Sequence, residues 1–246
     1  MTDSCKFIID FLNCEYEMFE NEKSSDKIFN RWKELSGLGK REGFFPLLVV
    51  PDIVLAEALQ LALQSAGAKN TPESIAAFRE KILRKAENID VHALLDERFA
   101  QSIPVDEDDF DIWGEFKPSV PTDRFISHVE GVKPRPEIFI AKIPAEHPWE
   151  LAAWAPMGGC NNCPNPAEQV AVFRYWNEKY GAVPGLVTYD IWEMELTKPP
   201  ATEKEAEALA KEQFAFCYDI VTQGVGTIRG LAGELKNSTT WLFWWD

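Results

Sequence analysis

The spacing Cys160-Asn-Asn-Cys163, preceded by Gly158-Gly159, is the pattern in this 246-residue chain that most invites chemistry. A Cys-x-x-Cys at the opening of a helix has a lowered thiol pKa, because the helix N-terminus favours the thiolate. Here Pro164 and Asn165 set the pair just ahead of that terminus. Thioredoxin-like redox chemistry wants a parallel strand before the motif, and the preceding stretch reads as a hairpin arm instead. Structural zinc wants four ligands. Cys217 and His147 would complete such a set, although no spacing demands it. Nucleophilic attack by Cys163 wants a histidine beside it, and of His92, His128 and His147 only His147 lies on a nearby loop. Packed, reduced thiols are the plainer reading, and no catalytic residue, cofactor or metal is expected.

Asp190, Glu193 and Asp219 are the best acid cluster. On a strand among Tyr189, Ile191 and Trp192, Asp190 would be desolvated and its pKa raised, as a general acid requires. The plainer reading has Asp190 accept backbone or indole N–H bonds and Asp219 cap a helix. The run Asp106-Glu107-Asp108-Asp109 lacks the glycine and the spaced glutamate of a calcium loop and reads as a solvated segment. The ending WLFWWD offers Trp241, Trp244 and Trp245 either as a stacking wall or as core, each indole N–H finding an acceptor. Asp246, beside two indoles, is expected to pair with Arg174 or Arg229.

A net charge of −15 repels phosphate backbones, which argues against nucleic acid and leaves docking to a basic protein open. No apolar run reaches the ~18 residues of a membrane helix, and MTDSCKFIIDFLNCEYE lacks a cleavage pattern. Five irregularly spaced cysteines fit reduced thiols in a cytoplasm.

These groups must be positioned by an α+β fold, a small mixed or antiparallel sheet flanked by helices, with extra N-terminal helices. Periodicity and caps predict helices over 4–20, Ser24–Ser36 (stopped by Gly37 and Gly39), from Asp52 to Ala66, from Thr71 and from Asp90. Phe44–Val50 reads as a strand buried on both faces, with Pro46 near an edge or ahead of the pairing. Residues 1–100 form one part, 101–136 an irregular acidic and proline-rich connection, and 137–246 a second α+β part, or all form one continuous globule. In the second part Glu137–Ile143 and Trp149–Ala155 read as a hairpin. A capping box, Asn165-Pro166-Ala167-Glu168, opens a helix ended by Gly181. Leu186–Leu196 reads as one strand, either buried on both faces upstream or carrying a bulge near Asp190 that shifts the register. Thr202 and Thr227 open further helices, and Thr239–Trp245 closes the chain as a strand. The segments from Phe29 to Asp52 and from Val172 to Asp190 echo each other weakly, and generic helix–strand packing accounts for this as well as duplication does.

The pieces GGCNNCP, RYWNEKYGA, TYDIWEMEL with KPP, KEQFAFCYDIVTQG and the final WLFWWD, in that order, resemble the bacterial family labelled domain of unknown function 4253. The resemblance is close over Trp149 to Asp246 and looser at GFFPLLVV. It implies a cytosolic bacterial protein and carries no activity with it. The polar positions it singles out are Asn162, Cys163, Asp190, Glu193, Cys217, Asp219 and Asp246; the aromatic ones are Trp154, Trp176, Tyr180, Trp244 and Trp245. Cys160, and Tyr218 in place of a proline, depart from the family pattern. The leading expectation is a non-catalytic, immunity-type protein-binding module. One alternative is a small-molecule enzyme or ligand binder with Trp154, Cys163, Asp190, Glu193, Asp219 and Trp244 around a cleft. The other is a thiol-redox or zinc protein acting through Cys160 and Cys163.

Overall fold

A computed structural model describes residues 1–103, 111–130 and 133–246. The acidic run Asp106–Asp109, with its calcium reading, lies outside the described residues. In chain order the elements are α1 (Asp3–Leu12), β1 (Glu15–Glu20), α2 (Ser25–Glu42), β2 (Phe45–Val49), α3 (Ile53–Ser65), α4 (Pro72–Ala86) and α5 (Val91–Ser102). Next come β3 (Val129–Glu130), β4 (Lys133–Pro134), β5 (Glu137–Ile143), α6 (Leu151–Trp154), α7 (Pro166–Tyr180), β6 (Val183–Val187), β7 (Ile191–Glu195), α8 (Glu203–Phe216), α9 (Ile228–Leu235) and β8 (Thr240–Trp244). The fold is α+β, with a six-stranded mixed sheet in the order β1-β5-β2-β6-β7-β8. Strands from before and after residues 101–136 thus share one sheet.

β2 shows why the sheet is covered on both faces. Successive side chains of a strand point to opposite sides. Leu47 and Val49 enter the larger core, while Leu48 and Val50 enter a smaller one with Ile28, Trp32 and Leu35 of α2 and with Phe125. β2 lies inside the sheet, not at an edge. Its pairing with β6 begins at Leu48, two residues after Pro46, so the missing proline N–H is not needed on that side. The Pro46 carbonyl accepts the Trp32 indole N–H at 2.9 Å. β2 and β6 run parallel, Leu48 opposite Leu186 and Val49 opposite Val187. Aligning Pro46 with Pro184 in the two echoing segments matches these same pairs. Gly185 is required where Trp32 and Phe125 cross β6, because a Cβ there would fall 2.3 Å from Phe125.

The predicted caps are present. Asp52 accepts from Leu55 N, Thr71 from Ser74 N and Thr227 from Gly230 N. Both capping boxes, Asn165 with Glu168 and Thr202 with Glu205, are closed. The aromatic centre also forms as expected. Trp176 stacks on Phe243 (5.2 Å, 7°) and meets Phe216 and Trp241 edge-on, and Tyr180 meets Trp241.

Four local expectations are corrected. The first helix stops at Asn13, whose left-handed backbone (φ 49°) turns residues 15–20 into edge strand β1. α2 runs through Gly37 and Gly39 and ends at Gly43 (φ 79°), because a glycine weakens a helix by only about 1 kcal/mol and does not forbid it. Trp149–Ala155 is not a strand: Pro148–Glu150 make one tight helical turn that continues into α6. Leu151, Ala152 and Ala153 are all fully buried, and a run buried on every side has no period to tell helix from strand. Leu186–Leu196 is two antiparallel strands around a turn at Thr188, whose Oγ1 accepts from Asp190 N and Ile191 N. That turn, not a bulge, shifts the parity of the apolar positions.

Candidate binding cleft

β2 and β6 end side by side, and the segments leaving their carboxyl ends build part of the wall of a cleft of about 950 Å³. Openings beyond the carboxyl ends of parallel strands are the usual ligand positions of open sheets with helices on both faces. The walls are α3, α4, the loop from Pro156 to Asn165, the Thr188–Asp190 turn and the last two residues, Trp245 and Asp246.

α3 explains the apolar character of one wall. Its sequence, IVLAEALQLALQS, is apolar on more than one stripe. Leu55, Leu59 and Leu63 pack into the core, whereas Val54, Ala58, Leu61 and Ala62 line the cleft. Val54 and Leu61 are 47% and 63% exposed. The facing helix α4 contributes Phe78 and Ile82 with Lys81 and Lys85 beside them. α4 is anchored by Arg79, whose Nη2 donates to the Phe11 and Leu12 carbonyls at the end of α1 (2.7 and 3.3 Å). The Arg79 guanidinium lies 3.7 Å over the Trp154 ring. Burial pulls the Arg79 pKa down to about 10.

The Pro156–Asn165 loop hangs on Gln169. This fully buried side chain donates through Nε2 to the Met157 and Pro164 carbonyls, each at 2.8 Å, and accepts the Trp192 indole N–H at 2.9 Å. One amide therefore ties both ends of the loop to the sheet. Arg98 holds the loop's outer side, donating to the Asn162 carbonyl and to Ala215 O. At the other wall the Thr188 hydroxyl donates to Asp190 Oδ1 (2.7 Å), and Trp245 N donates to the Asp190 carbonyl. Asp219 accepts from Asp246 N (3.1 Å) and from Gln223 Nε2 (3.0 Å), so it holds the final residues and does not cap the turn at Ile220–Val225.

Of the expected positions, Cys163, Asp190, Trp245 and Asp246 line the cleft, and Cys160 joins them. The six-residue cleft expected from sequence is not assembled. Glu193 faces the opposite side of the sheet, 2% exposed, and accepts from Ile126 N and Ser127 N; burial raises its pKa. Trp154 lies under Arg79. Trp244 is half-buried on β8 and its carbonyl accepts the Cys217 thiol at 2.9 Å. Asp219 reaches the cleft only through the backbone of Asp246. Trp176 and Tyr180 belong to the aromatic centre, where the Trp176 N–H finds Glu212. Among the described residues the indole N–H groups of Trp241 and Trp245 find no partner, against the expectation. The rings of Trp176 and Tyr180 meet Trp241 edge-on. Arg229 pairs with Glu207, and among the described residues no ion pair joins Asp246 to it or to Arg174.

Burial raises the Cys163 thiol and pushes Cys217 up to about 12, so neither is a ready nucleophile. His147 stacks on Trp149 at 4.4 Å, in a group with Glu146 and Glu150, and among the described residues no hydrogen bond joins it to Cys163. No zinc set of Cys160, Cys163, Cys217 and His147 is gathered among the described residues. Sequence reading passed over Gln169, Met157 and the second face of α3. Gln169 was detectable in principle, since it falls on the same helical stripe as Phe173, Trp176 and Tyr180.

Residues 139–246 match the family model described as Domain of unknown function (DUF4253). The matched part supplies the Gly-Cys loop, the Asp190 turn and the Trp245-Asp246 wall, while α3 and α4 precede it. A search of curated proteins and one of solved structures gave no match. Among the described residues no helix is long and apolar enough to cross a membrane.

Proposed function

We propose that this chain is a non-catalytic binding module of the bacterial cytoplasm, and that it takes apolar side chains of a basic protein partner into the cleft. The observation that carries the reading is the second apolar face of α3. Val54, Leu61 and Tyr189 are large exposed hydrophobics that line one cleft, and Ile53 begins the same helix. Clustered apolar exposure of this kind marks interaction surfaces. The net charge of −15 favours a cationic partner and makes its capture salt-dependent. Five free thiols support a reducing compartment. The raised thiols and the scattered acids support a role without chemistry.

The test is affinity capture from the source cell with the wild type and with Leu61→Asp, whose exposed position leaves the fold intact. A basic partner held at low salt, released at high salt and lost by the variant supports the reading. No partner at low salt, or equal capture by the variant, removes it. The cleft volume, inside the roughly 300–1,000 Å³ of small-molecule sites, favours one second reading, a small apolar ligand. Saturable binding of an apolar dye by the wild type, abolished in Leu61→Asp and with no protein captured, would select it.

A further inference from the structure

Met157, Cys160 and Cys163 bring three sulfurs to one stretch of the cleft wall. Cys163 Sγ lies 3.9 Å from Met157 Sδ. Cys160 and Cys163 flank a two-residue turn: Cys163 N donates to the Cys160 carbonyl at 2.8 Å, and Asn161 and Asn162 are both left-handed (φ 47° and 58°). Paired left-handed central residues are those of a type I′ turn, which keeps the flanking α-carbons within about 7 Å. Both cysteines line the cleft, Cys160 exposed and Cys163 7% exposed. The backbone wraps closely around this point, since a Cβ on Gly158 would fall 2.6 Å from Cys163 Sγ.

We propose that Met157, Cys160 and Cys163 together bind one soft monovalent cation, Cu(I), at the cleft wall. Thiolate and thioether donors select Cu(I) over harder ions, and a set of two thiolates and one thioether falls short of the four ligands of a structural zinc. The surroundings suit a sulfur-bound metal. Gln169 Nε2, held by Trp192, sits 3.5 Å from Cys163 Sγ and 3.7 Å from Met157 Sδ, where its N–H groups favour negative charge on sulfur. Exposed Cys160 gives the ion an entry path. On binding, two S–H bonds are exchanged for two Cu–thiolate bonds, the Met157 thioether lone pair forms the third Cu–S bond, and two protons leave to solvent, with no change of oxidation state. Thiols must lose their protons to bind a metal, so affinity rises with pH.

The experiment titrates Cu(I) into the reduced full-length chain under anaerobic conditions against bicinchoninate, with stoichiometry read by native mass spectrometry. The expected result is one Cu(I) per chain. Cys160→Ser, at an exposed position, is expected to lose more than the roughly 10–100-fold that removal of an outer hydrogen-bond partner causes. Met157→Leu, close in volume, is expected to weaken binding with unchanged circular dichroism. Cys5, Cys14 and Cys217 remain in both variants, so adventitious thiol binding would persist in them. Bicinchoninate retaining all the copper, or undiminished uptake by Cys160→Ser, overturns the proposal. So does a chain that forms the Cys160–Cys163 disulfide in air yet takes up no Cu(I) once reduced. The probe is the metal alone, so the result does not depend on any protein partner.

Discussion

Replacing Gln169 with leucine isolates the polar device that holds the cleft loop. Leucine fills nearly the same volume but neither donates nor accepts. Three hydrogen bonds are lost, two from Nε2 to the Met157 and Pro164 carbonyls and one from the Trp192 indole to Oε1. Trp192 is fully buried, so its stranded N–H alone costs about 1–3 kcal/mol. The two loop carbonyls can turn toward water and cost about 1 kcal/mol each. The expected loss is therefore about 3–5 kcal/mol, a large part of the roughly 5–15 kcal/mol by which a domain is stable. Urea unfolding followed by tryptophan fluorescence measures it, with the denaturant dependence unchanged. Gln169→Glu is the companion. It keeps an acceptor for Trp192, can make one donation while protonated and none once ionised, and buries a carboxyl whose pKa burial raises, so its deficit should widen as pH rises from 5 to 8. A loss below about 1 kcal/mol in Gln169→Leu would refute the reasoning, because a single amide could not then be organising the loop.

Arg79→Lys should lower stability by about 1–3 kcal/mol, because lysine cannot keep both the flat contact on Trp154 and the two α1 carbonyls; thermal melting no different from wild type would contradict this. Glu193 has a folded pKa raised by burial, so its contribution is fully present below the unfolded pKa and is lost as pH climbs through the folded value. Glu193→Gln should flatten that part of the stability–pH curve, and a curve superimposable on wild type would show the carboxylate to be silent. His128 has the opposite sign. It is fully buried, bonded to Ser25 Oγ at 2.9 Å, and burial lowers its pKa. Stability from the neutral ring holds above the unfolded value of 6.5 and falls away as pH drops toward the folded one, a slope that should vanish in His128→Gln.

The residues by themselves determined the punctuation of this chain and the make-up of its centre. Oxygen caps at Asp52, Thr71, Asn165, Thr202 and Thr227 act within one turn, and the aromatic positions of α7 and β8 follow local periods, so both were legible before any fold was known. The strand at Glu15–Glu20 was not, because it is an edge strand with one partner, and that partner, β5, lies more than a hundred residues away. Nor was the helical turn at Pro148–Trp154, where burial on all sides erases the period. The cleft itself belongs to the tertiary structure alone. α3 reads as a core helix from its composition, and only the placement of β2 beside β6 decides that one of its apolar faces meets the core and the other an opening. The same placement set Cys163 and Asp190 around that opening and carried Glu193 to the far side of the sheet. Strand alternation assigns faces only after the turn at Thr188 has set the register; the Thr188 hydroxyl closes that turn locally, and the tertiary contact of Trp245 N with Asp190 O seats it beside the end of the chain.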